Sequence, residues 1–470
     1  MKNLFYQAGI FALALSVLSC SSDDDNIIDD GPVGGSTIEL TGNLTTQTLS
    51  KDNKYLLKGQ VFVRDGQTVT IQPGTVIFGD KATRATLVVD RGGKIIANGT
   101  QSEPIVMTSS QPAGIRDRGD WGGLVILGKA NVNQPNPAIE GITPEVNFGT
   151  TQSNEFDDDN SGVFKYLRVE FAGIELTPNN ETNSITMGGV GRGTEMEYLM
   201  VSYGGDDGFE WFGGTVNGKY LIAHAMWDDD FDVDYGWSGN VQFGIAIRYP
   251  GFADQSGSNG FETDNGPNDT DVEPYTNGVF SNMTIIGPIK TGSSISNGNF
   301  QHAIDLRRRT ALSIFNSVFT GFPRGIRMNQ PSVFDQYVVA KRGVLANNIL
   351  VAPSVANKYL SGSGVDAALV GAYWEENNIT IDGPATDAIH TALGLNPDLF
   401  FGTRLPNDYT SNPNFAITTG TLTSGADFSH AKFNETNRTG FFQEVAFIGA
   451  FGAQNWAAEW TEFDPVDANY

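Results

Sequence analysis

The chain is poor in cysteine, in basic side chains, in histidine and in long apolar runs. A single cysteine, Cys20, stands in 470 residues, which excludes an intrachain disulfide framework. Lysine and arginine number 29 against 54 aspartates and glutamates, a formal net charge of −25. A basic face is the footprint of phosphate binding, so nucleic acid is excluded as a partner. Four histidines leave few acid–base candidates of that type. Beyond the first twenty residues no stretch approaches 18 consecutive apolar residues, so nothing further reads as a membrane-spanning helix. Convincing helix-period segments are also missing from the strand-rich part of the chain.

What is present begins at the N-terminus. Lys2 gives a positive start, and Leu4 to Leu18 form an apolar run too short for a membrane span, the pattern of a secretory signal. It ends in Val17-Leu18-Ser19-Cys20, which resembles a bacterial lipobox. The expectation is a signal peptide over 1–19 and acylation of Cys20, with more than one acyl chain giving stable attachment. Ser21 to Gly35 read SSDDDNIIDDGPVGG, an acidic disordered tether over 20–37. An acidic cluster directly after the acylated cysteine resembles the signal that sends Bacteroidetes lipoproteins to the outer face of the outer membrane.

From Ile38 onward short apolar strands alternate with Gly, Asn and Asp turns, for example Thr68-Val69-Thr70-Ile71 and Gly123-Leu124-Val125-Ile126-Leu127. With 56 glycines and many β-branched and aromatic residues, the chain reads as all-β. The middle repeats itself. Lys165-Tyr166-Leu167-Arg168-Val169 matches Glu197-Tyr198-Leu199-Met200-Val201 and Lys219-Tyr220-Leu221-Ile222-Ala223, with a weaker copy from Asn240. Leu167, Val169 and Phe171 are expected to share one buried face. A second series opens on Asn282, Asn316, Asn348 and Asn378, at intervals of 30 to 34 residues.

A period in this range means a solenoid, propeller or array, and the four-stranded blade signature of a propeller is missing. The expected fold is a single-domain, right-handed parallel β-helix over 38–385, with terminal coils and an irregular C-terminal cap over 386–470. The recurring asparagine resembles the internal ladder of pectate-lyase-type β-helices. Roughly a dozen coils would make a rod about 60 Å long at about 4.8 Å per coil.

Ile71-Gln72-Pro73-Gly74-Thr75-Val76-Ile77, Gly93-Lys94-Ile95-Ile96-Ala97-Asn98-Gly99-Thr100, Gly119-Asp120-Trp121-Gly122-Gly123 and Phe209-Glu210-Trp211-Phe212-Gly213-Gly214 resemble a poorly characterised group of Bacteroidetes secreted β-helix proteins. The resemblance covers nearly the whole mature chain and implies fold and surface location far more than activity. Some relatives end in a type IX secretion sorting domain; here a lipid anchor is expected to take its place.

The densest acidic run is Trp227-Asp228-Asp229-Asp230-Phe231-Asp232-Val233-Asp234-Tyr235, about one coil after Asp206 and Asp207. Turns one coil apart stack, so these carboxylates are expected to converge and to take up Ca2+, which accepts six to eight oxygens. The run lacks the central glycine and final glutamate of an EF-hand loop. The bland alternative is a set of solvated or turn-fixing aspartates. Asp157 to Asn160 and Asp264 to Glu273 read as acidic loops.

Trp211, Trp227, Tyr235 and Trp237 lie beside the acidic run and are candidate ligand-binding residues, since aromatic faces stack on sugars or anchor proteins. The opposing possibility is that they fill the core. No catalytic residue is assigned. Arg248, Arg307, Arg308, Arg309, His224 and His302 are the partners a lyase or hydrolase would draw on. The leading functional expectation is a non-catalytic surface lipoprotein that binds glycan or protein, as accessory to an outer-membrane transporter. A Ca2+-dependent polysaccharide lyase or glycosidase, and a structural or adhesive surface protein, are the alternatives.

Overall fold

The structure, a computed structural model, describes residues 37–177, 180–292, 297–351, 355–400 and 413–470. The signal segment, Cys20 and the tether up to residue 36 lie outside the described residues. The rest is an all-β parallel β-helix: 26 described strands join in one continuous sheet whose ladders are parallel throughout.

Three faces follow from the register. The first carries strands such as Thr68–Ile71 and Lys94–Asn98, continuing into the first halves of Gly162–Glu170 and Glu195–Ser202. The second carries the other halves of those long strands and ends at Ile379–Ile381. The third runs through Leu124–Leu127, Ile185–Val190, Phe209–Gly214, Phe231–Asp234, Phe261–Thr263, His302–Leu306 and Arg324–Met328. Consecutive coils therefore place residues of like position on top of one another, about 4.8 Å apart.

Each long strand bends where one residue takes a left-handed conformation. Tyr166, Tyr198, Tyr220, Phe243, Asn282, Asn316 and Asn347 all have φ between +47° and +63° and occupy equivalent positions in successive coils. Asparagine tolerates this region. The aromatic rungs stack instead, with ring centroids 4.4 Å (Tyr166–Tyr198), 4.3 Å (Tyr198–Tyr220) and 5.2 Å (Tyr220–Phe243) apart.

The asparagines read as one series in the sequence form two neighbouring ladders. Asn282 and Asn316 share the bend column with Asn347, whose Nδ2 donates to Asn316 Oδ1 at 2.6 Å. Asn348 and Asn378 belong to the adjacent inner column. Ser317 N donates to Asn348 Oδ1 at 3.0 Å, and Asn348 N to Asn378 Oδ1 at 3.0 Å. One residue of slippage separates the two because the bend consumes one side of each strand. Phe171 also differs from expectation: it sits at φ +59° and leaves the Leu167–Val169 face. It packs on Tyr203 outside the main core.

Residues 413–470 pack against the side of the rod. They run back along its flank as a strap over the bend column. Asn347 Nδ2 donates to Gly425 O (2.7 Å), Asn316 Nδ2 to Asp427 O (3.1 Å) and Asn282 Nδ2 to Phe447 O (2.9 Å). Trp456 meets Tyr220 at 5.3 Å, and Trp460 stands edge-on to Tyr166 at 5.9 Å. Tyr470 Oη donates to the buried Glu170 at 2.7 Å. Asp387–Leu393 is a short helix, and Ala367–Asn377 is a helix without an amphipathic signature. Only Val370, Gly371 and Trp374 of it are buried, too narrow a stripe to show as periodicity.

The inner ladder should be worth measurable stability. In Asn348→Ala the Ser317 amide and the Ile314 carbonyl, now bound by the Asn348 side chain, lose their partners. A loss of about 2–4 kcal/mol is expected from two buried unpaired groups. Denaturant unfolding checks it, and an unmoved midpoint would show that the amide is not structural.

Candidate functional site

Strand alternation decides what the third face presents. Its inward column is Leu124, Ile185, Phe209, Phe231, Phe261 and Ile304, all buried. A second inward position holds Ile126, Met187, Trp211, Val233 and Leu306. The outward column between them reads Phe62, Val88, Val125, Thr186, Glu210, Asp232, Glu262, Asp305, Arg327 along the rod. Its apolar start is covered by Ile142, Val146 and Phe148 from the 131–151 loop. Past Thr186 it turns acidic.

The corner leading into this face adds more carboxylates. Gly205 is pressed against the preceding coil, where a Cβ would sit 2.5 Å from Gly173 O. This close approach sets Asp206 and Asp207 over the next corner. Asp229 N donates to Asp207 Oδ1 at 2.8 Å, Asn259 N donates to Asp229 Oδ1, and His302 N donates to Asn259 Oδ1 at 3.0 Å. Asp207, Asp229 and Asn259 thus form a third ladder, each accepting from the backbone one coil on.

Corner and strand carboxylates together make three overlapping triads: Asp206–Asp207–Asp228, Asp207–Glu210–Asp232 and Asp229–Asp232–Glu262. Within each, one carboxylate oxygen per residue lies within 4.8 Å of the others. Among the described residues, no lysine or arginine forms an ion pair with Asp206, Asp207, Glu210, Asp228, Asp229 or Asp232. Asp228 Oδ1 and Asp232 Oδ1 are shielded from solvent and accept no hydrogen bond. Asn183 Nδ2 donates to Glu210, and Ser256 Oγ donates to Asp228 Oδ2 at 3.0 Å.

Burial raises these acids first, and mutual repulsion raises them further. Asp206 is pushed well up by desolvation and then by Asp228. Asp207 rises by desolvation and then through Asp206 and Asp232. Asp232 rises by desolvation, Glu210 and Glu262. Asp228 reaches about 7 through desolvation, Glu262 and Asp254. A divalent cation would remove the same penalty by supplying the missing charge.

Five of the seven aspartates expected to converge therefore do so: Asp206, Asp207, Asp228, Asp229 and Asp232. Asp230 does not. It turns to Arg248, whose Nη1 lies 3.0 Å away, both side chains fully buried. Asp234 stands in the next outward column after Phe212, where Tyr235 N bonds its Oδ1 at 2.7 Å, and it joins none of the triads.

Glu210 and Glu262 belong to the site but escape a search for aspartate runs. Their signal is the frame Phe209-Glu210-Trp211, Phe231-Asp232-Val233 and Phe261-Glu262-Thr263: an inward phenylalanine followed by an outward acid, three coils in a row.

The same alternation corrects the aromatic set. Trp211 and Trp237 are core residues, 2 % and 0 % exposed, with ring centroids 5.4 Å apart. Trp237 Nε1 donates to Val216 O at 3.2 Å. Neither presents a face to solvent. Tyr235 is half-buried against Phe212 and Phe148. Trp227 stays at the rim of the acidic site, its Nε1 on Asp254 at 2.9 Å and one face under the Arg118 guanidinium at 3.7 Å.

The histidines and arginines a catalyst would use are committed elsewhere. His224 is buried between Tyr203 and Phe463, and burial lowers it to about 3. His302, also buried, is lowered to about 2. Arg307 binds Glu262 and Asp264, Arg308 binds Asp264 at 2.8 Å, and Arg309 lies 3.6 Å from Asp269 and from Asp271. The other acidic loop is likewise engaged: Arg192 lies 3.2 Å from Asp157.

Compared with known proteins, residues 42–387 match a family model described as a pectate-lyase like beta helix domain. No curated protein matches, and no solved structure does.

The raised acids fix the sign of a pH dependence. A carboxyl whose folded value lies above its unfolded one contributes stability at low pH and loses it as pH rises. The window for Asp228 runs from about 4 to about 7. In EDTA the melting temperature is therefore expected to fall as pH rises from about 5 to about 8, and Asp228→Asn should flatten the fall. A melting temperature that climbs over that range would contradict the assignment.

Proposed function

We propose that this chain, which belongs to the family of pectate-lyase-like β-helix domains, is a non-catalytic surface lipoprotein whose acidic face binds glycan or protein through bound divalent cations. The supporting observation is the set of three overlapping carboxylate triads in which, among the described residues, only Glu262 has an ion-pair partner, Arg307. Ca2+ fits the donors: hard oxygens, six to eight of them, in a site assembled from several coils. Cys20 and its acidic tether would hold the rod at the outer face of the outer membrane, and an outer-membrane transporter is the proposed neighbour.

Chemistry argues for binding over cleavage. Glycosidase carboxyl pairs stand about 5–5.5 Å apart in retaining enzymes and about 6.5–9.5 Å apart in inverting ones. Here one oxygen from each carboxylate of a triad lies within 4.8 Å of the others, an arrangement suited to sharing a cation. A lyase needs a free basic group at the proton it removes. Arg248 is sealed in its pair with Asp230, and Arg307 and Arg308 are held by carboxylates. Trp227 at the rim offers a flat neighbour for a sugar ring.

The test is retention on a panel of acidic and neutral polysaccharide gels with Ca2+ and with EDTA. Retention should need Ca2+ and leave the polysaccharide uncut. Asp207→Asn combined with Asp232→Asn should weaken Ca2+ binding by about tenfold or more, about 1.4 kcal/mol. New unsaturated or reducing ends, abolished by Arg307→Ala, would replace this reading with the lyase one. Binding to no polysaccharide, with a membrane protein copurifying, would shift the partner from glycan to protein.

A further inference from the structure

The outward column of the third face changes character at one residue. Glu210 and Asp232 have no basic partner among the described residues, but the next two acidic rungs, Glu262 and Asp305, each have one. The Arg307 guanidinium bonds Glu262 and reaches Asp264 at 3.1 Å. Arg327 Nε donates to Asp305 at 2.7 Å. The boundary falls inside the third triad, Asp229–Asp232–Glu262, which shares Asp232 with the second.

We infer that Arg307 is a resident counter-cation that fixes where bound divalent cations stop, confining them to the first two triads. The inference rests on the cation-binding reading above and adds to it a residue that sets stoichiometry. Glu262 is held through Oε1 by a charge-assisted bond from one arm of a planar, permanently charged fork, with Asn259 Nδ2 on its other oxygen at 3.2 Å. To close the third triad around a metal, Glu262 would have to leave that fork. Arg307 would then retain only Asp264, which Arg308 already binds at 2.8 Å. Among the described residues, the first two triads carry no such competitor. Asp228 in the first holds a shielded oxygen without a hydrogen-bond partner, as does Asp232, which the second shares with the third, an observation independent of the charge count. Arg307 is a positioning residue in this scheme, since it touches no cation itself.

The test counts Ca2+ per chain by equilibrium dialysis at saturating Ca2+ for the purified full chain and its variants. Arg307→Gln should bind one Ca2+ more than the natural protein, because Glu262 is released to complete the third triad. Arg307→Lys, which keeps a charge on Glu262, should restore the original count. Arg308→Gln, at Asp264 only, should leave the count unchanged. Glu262→Gln in the natural background should also lose no ion, which gives a readout that does not depend on the folding of Arg307→Gln. An unchanged count in folded Arg307→Gln, or an ion lost in Glu262→Gln, overturns the inference while the binding reading stands. A natural protein that binds no Ca2+ overturns both.

Discussion

Parallel, in-register stacking is the constraint on which everything else depends. Once each coil lies about 4.8 Å above the last, a side chain's nearest neighbours are its own equivalents in the coils on either side. Repetition is then favourable for some chemistries and unfavourable for others. Phenylalanines stack inside the rod, with Phe209–Phe231 at 5.7 Å and Phe231–Phe261 at 5.2 Å. Amides pass hydrogen bonds along a column, as Asn348 and Asn378 do. Carboxylates in the same arrangement repel.

The fold meets that repulsion in different ways along the third face. Its first coils avoid charge and bury Phe62, Val88 and Val125 under a loop. Its last coils pair each acid with arginine. Among the described residues, the acids stacked in the middle coils, Glu210 and Asp232, have no ion-pair partner, and there burial and mutual repulsion raise the carboxyls together. The opposite flank is closed by the strap, whose tryptophans cover the tyrosine column. The acidic stretch is thus set apart by what surrounds it, and its position on the rod follows from the register alone.

Much of this was legible in the sequence because period-2 patterning and repeat spacing survive translation into a β-helix. The all-β class and the recurring asparagines needed no tertiary information. What stayed hidden depends on which way a strand faces. Trp211 looks like a binding residue beside an acidic run, yet pleating places it inward and hands the outward position to Glu210. One residue of slippage at the left-handed bends splits the asparagine series into two columns. Asp230 is indistinguishable in sequence from Asp229, and only the approach of Arg248 from another face separates them. The strap was illegible because its contacts join residues from 78 to more than a hundred positions apart, with no local period to announce them.

The corner ladder carries the argument for a bound cation one step further. Its structural duty is to offer one oxygen to the backbone N–H of the next coil. Asn259 performs that duty without charge, accepting from His302 N at 3.0 Å. Asp229 and Asp207 perform the same duty one and two coils earlier, each buried and each carrying a carboxyl raised by desolvation and by its acidic neighbours. An amide at either position would meet the backbone requirement and remove the repulsion. Ladder geometry therefore explains an oxygen at these positions but not an acid. The charge itself calls for a ligand that an amide would bind less well, and a divalent cation shared among the triads is that ligand in the reading proposed here.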